Sequence, residues 1–245
     1  MDDLKIGEGL ARRMEKEEQV QIEQALQEDK TPEGGRNILI TIAVLVGIFA
    51  LSLGGFKTYD HFTGAPVVNV DDLHQQNLDD QLKSEEGYTY NGYSFVKVDG
   101  LWWTEIKLGN VLYKVPLHFS PKEVANISVK GKLDSSFDQG DEIYIAIDPE
   151  FTNQYYSLAL NELNFNVVKG IGRKPVGVCT KDNPICDNRT TLNCENNKGK
   201  PVIELKWSNQ TKVNLKGTCI LVEGQGYDLV RAADRLIWQW YGVMN

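Results

Sequence analysis

Ile38 to Phe56 reads ILITIAVLVGIFALSLGGF, an apolar run of 19 residues with no charged side chain inside it, and no other segment of the chain resembles it. A helix that crosses a bilayer needs about 20 apolar residues and must satisfy its backbone internally. The run meets both conditions, so the chain is expected to be a single-pass membrane protein. Three rivals explain it less well. A cleaved signal peptide begins within a few residues of the start and has a shorter apolar core, whereas 37 residues precede this run. A type IV pilin would place a short basic leader before it, and although Gly34, Gly35 and Arg36 sit suitably, the preceding tail is long and acidic. A buried helix of a soluble domain is usually shorter.

Four segments follow from this landmark: a cytoplasmic acidic helical tail (1–36), a transmembrane helix (37–57), a stalk (58–87) and an extracytoplasmic domain (88–245). Lys30 and Arg36 precede the run and only Lys57 follows it closely, which places the N-terminal side in the cytoplasm. All four cysteines, Cys179, Cys186, Cys194 and Cys219, lie beyond the run, as do the three glycosylation acceptors at Asn126, Asn188 and Asn209. Disulfides persist outside the cytoplasm, so both distributions agree with an external domain at the cell membrane.

The charge balance excludes some partners. Residues 1–36 carry 6 basic and 10 acidic side chains and residues 57–245 carry 20 and 24, together the net −8 of the chain. Nucleic-acid binding requires Lys and Arg to neutralise phosphates, and neither part offers a basic stripe. The expected partners are membrane lipid, through the one transmembrane helix, and a protein or glycan outside. The tail segment Gly9–Glu28 is rich in helix formers but only partly apolar on one face, as in a solvated juxtamembrane helix. Within the stalk, Val70 to Leu82 predicts a short helix with too few apolar residues for a core.

From Tyr88 onward the pattern is of strands and turns. Asn91-Gly92, Asp99-Gly100 and Gly109-Asn110 are hairpin dipeptides separating YSFVKV, LWWTEIKL and VLYKVPLHF. Pro116 assigns the last of these to an edge or a bulge. Ser120-Pro121-Lys122-Glu123 is a helix start. Ile143, Ile145 and Ile147 alternate in a strand, Asn153 to Lys169 reads as a helix closed by Gly170, and KPVGVC follows as another strand. That order predicts one crossover unit with a parallel pair. Two further strands flank the Ser208-Asn209-Gln210 turn, then CILVEG, and Tyr227 to Val243 predicts a final amphipathic helix. The expected fold class is α/β in an α+β-like form: a mixed, largely antiparallel sheet with packed helices, preceded by one transmembrane helix.

Four cysteines allow three pairings. Cys179 and Cys186 enclose the polar loop TKDNPI, leaving Cys194 to join Cys219, and this is the pairing expected. The gaps do not suit structural zinc, which favours C-x2-4-C spacing, and C-x-x-C redox spacing is missing. No metal or cofactor is expected. Candidates for chemistry each have a plainer reading. His61, His74 and His118 read as solvated histidines rather than a triad. Ser120 is a helix cap without a nucleophile-elbow context. Asp148 and Glu150 could form a carboxylate pair but sit where turn formers belong. Trp102, Trp103, Trp207, Trp238 and Trp240 could stack on sugars, although strand and helix spacing puts most of them beside the core. Gly170-Ile171-Gly172 is too sparse for a phosphate loop. No catalytic residue is therefore assigned.

The words FVKVDGLWW, YIAIDPE, LALNELNFNVVKG, KPVGVCT and CILVEGQGYDLVRAADRL resemble a family of uncharacterised single-pass membrane proteins from small-genome archaea. The likeness covers residues 88–245. It implies an archaeal cell-surface domain with paired cysteines, and it transfers no site residues because the family has no assigned activity. The function expected is an anchored binding or scaffolding domain, part of a cell-envelope complex. The alternatives are a tethered enzyme acting on envelope glycan or peptide, and a single-pass sensor.

Overall fold

The computed structural model describes residues 32–63, 69–151, 153–187 and 189–245, with the side chains of the first helix from 37 to 52 only. The tail helix expected at Gly9–Glu28, and the acceptor Asn188, lie outside the described residues. The chain divides into two units, Met1–Val67 and Val68–Asn245. In the first, helix α1 runs over Pro32–Thr63 and includes the whole apolar run. Its side chains are open: Ile38 is 63% exposed, Leu45 60% and Leu51 78%. Among the described residues no helix has an 18-residue stretch apolar enough to cross a membrane; the side chains described in α1 stop at 52.

The second unit begins with helix α2, Val70–Leu78, whose N-cap Asn69 accepts from the Asp71 amide. The stalk reading needs correction here. His74 and Asn77 are buried against the first strands, so α2 belongs to the folded unit. Asn77 Nδ2 donates to the Tyr88 carbonyl at 3.0 Å and to Ser94 Oγ at 2.7 Å. Those two bonds hold α2 on the sheet although its leucines are too few to do so.

Strands β1 (Gly87–Tyr90), β2 (Tyr93–Val98), β3 (Leu101–Leu108) and β4 (Val111–Leu117) form an antiparallel meander in sequence order. The turns are as the dipeptides predict: Asn91 and Gly92, and Asp99 and Gly100, all have positive φ, the backbone that two-residue hairpins need to match strand twist. Pro116 pairs with Trp103 on β4, which is the edge strand, so its missing N–H leaves no ladder bond unmade inside the sheet. A one-turn helix α3, Pro121–Val124, follows with a capping box between Ser120 and Glu123.

The remaining strands build a six-stranded sheet from β5 (Ser128–Leu133), β6 (Glu142–Ile147), β7 (Lys174–Cys179), β8 (Val202–Trp207), β9 (Lys212–Gly217) and β10 (Cys219–Gly224), in the order β5-β9-β10-β8-β6-β7. Only β9–β10 is antiparallel; β5–β9, β10–β8, β8–β6 and β6–β7 are parallel. The crossover unit is present, with helix α4 (Gln154–Asn166) between β6 and β7. The expectation of a largely antiparallel sheet holds for the meander and fails for this second sheet. The cause is β10. Its CILVEG sequence is buried at almost every position, and a strand covered on both faces takes a central place, so β10 inserts between β8 and β9, the two strands that flank the Ser208-Asn209-Gln210 turn.

Helix α5, Tyr227–Trp240, buries residues around most of its circumference. Trp238 meets Phe95 of the meander edge-on at 5.3 Å, while the same helix packs on β10. Helices α4 and α5 thus lie between the two sheets in one continuous core. Past the last turn of α4, Val167–Ile171 widens into a π turn that ends at left-handed Gly172, two residues beyond the predicted stop at Gly170. On the far face of the mixed sheet a smaller cluster of Ala146, Val178, Leu192, Val202 and Cys219 is covered by the loop that carries the cysteines.

Candidate functional site

Three elements converge where β4 ends. His118 follows the last residue of β4, Glu162 lies on α4 and Asp234 on α5. The Phe119 peptide is held on both sides by α5: its N–H donates to Asp234 Oδ2 at 2.8 Å, and its carbonyl accepts from Trp238 Nε1 at 2.8 Å. This clamp fixes the direction of His118 beside it. His118 Nδ1 meets Glu162 Oε1 at 2.5 Å, with 32% of the His118 side chain exposed against 10% for Glu162.

Burial increases from His118 through Glu162 to Asp234. Asp234 is completely buried, and neither its Oδ1 nor Glu162 Oε2 has a partner. Desolvation, followed by the neighbouring charge of Glu162, pushes the Asp234 carboxyl well above the usual range. A neutral Asp234 that donates its proton toward Glu162 satisfies both orphan oxygens with one hydrogen. The other oxygen of Glu162, Oε1, is the one that meets His118. The hydrogen bond to Glu162 raises the His118 pKa against the smaller opposing effect of desolvation. The arrangement is a relay from a buried acid, through a carboxylate, to an imidazole at the surface.

That imidazole opens on a cleft of about 620 Å³, lined by Lys97, Gly100, Phe119, Glu123, Tyr227, Asp228 and Arg231 in addition to His118. Much of its polar lining is already engaged. Arg231 pairs with Asp228 at 3.2 Å and donates to the Glu123 carbonyl and to Asn126 Oδ1. Glu123 Oε2 accepts from the Ser120 amide and hydroxyl. The aromatic wall is freer: Tyr227 is 54% exposed and meets Phe119 edge-on at 5.9 Å and the tilted ring of Tyr155 at 4.6 Å between ring centres. An aromatic face beside paired charges suits a polar ligand with some apolar surface.

Comparison with known proteins found no matching family model, curated protein or solved structure. The reading of this site therefore rests on its geometry.

The other sequence candidates are placed as follows. Cys179 is bonded to Cys186 and Cys194 to Cys219, with Cα atoms 6.3 and 5.4 Å apart, the pairing expected from the spacing. Asn126 and Asn209 are exposed; Asn126 stands at the rim of the cleft. The solvated-histidine reading is overturned for two of the three. Burial lowers the pKa of His74, whose Nδ1 meets Ser94 Oγ at 2.9 Å, and His118 is in the relay. The side chain of His61 lies outside the described residues. Ser120 caps α3. Lys181 neutralises Asp148 and Glu150 together at 3.1 and 2.6 Å, so they serve as a turn. Trp102 and Trp238 are buried, and Trp103, Trp207 and Trp240 are half-buried. Gly170–Gly172 terminates a helix. Among the described residues no group of three or more His, Cys, Asp or Glu side chains is arranged to hold a metal ion.

Sequence reasoning missed Glu162 and Asp234. For Asp234 a signal existed: it sits four residues after Val230 and three before Ile237, on the apolar side of its own helix. A carboxylate there is either paired or protonated.

Proposed function

We propose that the chain is an anchored extracytoplasmic binding domain, held in the cell membrane by α1, that presents Val70–Asn245 outside and takes a protein or glycan partner in the cleft beside His118. The observation that carries the reading is the division of the sequence by α1. Within α1 the uncharged apolar run Ile38 to Phe56, open at the side chains described from 37 to 52, precedes a unit that contains every cysteine, all of them bonded. The resemblance to single-pass proteins of small-genome archaea agrees with it, as does a cell-envelope complex as the setting. The test is crosslinked affinity purification of the intact protein from its native membrane, run beside a Lys97→Glu/Tyr227→Ala variant. A reproducible partner that falls at least tenfold in the variant is expected. A partner recovered equally with both, or none at all, removes the cleft from the proposal.

One observation favours a tethered enzyme as the second reading: the relay ends at a ring nitrogen of His118 on the cleft wall. A base oriented by a buried carboxylate is a hydrolytic device, here directed at envelope glycan or peptide. Because only neutral imidazole accepts water's proton, turnover would rise with pH through the raised His118 pKa. His118→Gln would abolish it without unfolding the domain. Turnover that is indifferent to that substitution eliminates this reading.

A further inference from the structure

We infer that the folded unit has a second, lipid-facing surface: the apolar corner formed by Val111 and Leu112 of β4 with Phe165 and Val168 rests on the bilayer that α1 enters. The inference depends on the anchored reading of α1.

Successive residues of a strand point to opposite faces, so a sheet packed on one side can cover only one of two neighbours. Val111 and Leu112 are 51% and 56% exposed. They stand at the tip of the β3–β4 hairpin on the edge strand. Phe165, from the last turn of α4, and Val168, from the π turn, are also about half open. Val111, Leu112 and Phe165 share one depression of about 300 Å³ with Tyr113, Val115 and Tyr241, and its charged members are Lys114 and Lys169. Large open apolar side chains gathered in one place mark a contact surface.

The occupant follows from charge and from where the chain enters. The protein is acidic overall, yet this corner carries Lys107, Lys114 and Lys169. Asp71 pairs with Lys114 and Glu105 stands opposite it in the strand register. Lys107 and Lys169 have no carboxylate partner among the described residues, and Lys169 lies over the Phe165 ring at 5.8 Å. Apolar side chains ringed by lysines match the boundary between acyl chains and anionic headgroups. The Asp71–Lys114 pair adds position: Asp71 is in the first turn of α2, so the chain enters the folded unit two residues along β4 from Leu112. Six residues, 64–69, connect α1 to α2, and they span about 20 Å at most. The seven helical residues after Phe56 add about 10 Å. The tether thus attaches at the same corner that is apolar and cationic.

The test uses the full chain in vesicles of zwitterionic lipid with one quarter anionic lipid. Spin labels are placed singly at Leu112→Cys, at Lys206→Cys on the far face of the mixed sheet, and at Val46→Cys in α1. Accessibility to oxygen is compared with accessibility to a water-soluble nickel complex. The Leu112 label is expected to favour oxygen at least threefold and the Lys206 label to favour nickel. A Leu112 label as open to nickel as Lys206, with the Val46 label in lipid, overturns this inference and leaves the anchor standing. A Val46 label in water overturns the anchor itself. Spin–spin broadening at Leu112 that disappears on dilution with unlabelled protein, without preference for oxygen, identifies a second copy as the occupant and also overturns it.

Discussion

Asp234 is held where ionisation is costly, and the consequence can be read from its two oxygens. Oδ2 accepts from the Phe119 amide and Oδ1 faces Glu162 without a partner of its own. Asp234→Asn keeps an acceptor for the amide and supplies an N–H toward Glu162, so near neutral pH it is expected to cost less than about 1 kcal/mol. Asp234→Ala strands a buried N–H, a loss of about 1–3 kcal/mol. Denaturant melts of the two variants separate these outcomes, and equal losses would refute the shared-proton arrangement. The pH dependence has a definite sign. A carboxyl with a raised folded pKa contributes most at low pH, and its contribution declines as pH rises from the unfolded pKa, near 3.8, through the folded one. His118, also raised, contributes fully below its unfolded pKa, near 6.5, and loses that contribution as pH rises through the folded value. His74 opposes both, because its depressed pKa withdraws stability as pH falls below about 6.5. The stability of Asp234→Asn relative to the parent should therefore improve from pH 5 to pH 8, since the variant has no proton to lose at this site. Asp234 was legible as an anomaly on its helix. Glu162 and His118 were not, because the relay brings together three elements separated by 44 and 72 residues of sequence, and no local pattern encodes that meeting.

Elements are where the sequence speaks most clearly about local geometry and least clearly about partners. The hairpin dipeptides, the edge proline, the β6–α4–β7 crossover and the two disulfides all follow from spacing and backbone chemistry close at hand. The order of β8, β9 and β10 does not, because the short Ser208–Thr211 connection reads as a hairpin whether or not another strand comes between its arms. Only the near-continuous burial of β10 distinguishes the two, and it is a property of the assembled sheet. The disulfide loop offers a test at this scale. Cys194–Cys219 closes the longer loop and carries the cover of the second core, in which Leu192 and Cys219 take part. Replacing that pair by serine should cost about 3 kcal/mol on chain entropy and more by exposing the cluster. Replacing Cys179 and Cys186 should cost about 2 kcal/mol on the same basis. Hydrogen exchange should then show lost protection in β7 and β8 for the first variant and little change there for the second. Gly224 supplies an independent check on the packing of α5: a Cβ placed there would come within 2.5 Å of the Leu229 amide. Gly224→Ala should lower stability by about 1–3 kcal/mol, measured as a shift in the denaturation midpoint.

At the scale of the whole molecule, the proposed topology depends on a small asymmetry of charge combined with a large asymmetry of chemistry. Lys30 and Arg36 before the apolar run, against Lys57 after it, favour a cytoplasmic N-terminus by one positive charge. The bonded cysteines suit an oxidising compartment, which in the proposed topology is the side opposite the tail. Each consideration can be varied while the other is held constant. In the native membrane, a protease added from outside should remove the domain and leave the tail protected, and thiol reagents should label no cysteine without prior reduction. Reversing the bias with Lys30→Glu and Arg36→Glu leaves the domain sequence intact, so any inverted molecules keep the ability to fold but place their cysteines in a reducing compartment. The variant population should therefore divide into two classes: protease-sensitive molecules with both disulfides, and protected molecules with free thiols. The tail should show the reverse pattern of protection. Free thiols in protease-sensitive domains, or bonded cysteines in protected ones, would separate disulfide formation from membrane orientation and overturn the topology, because the two must change together if the oxidising side is the side on which the domain is displayed.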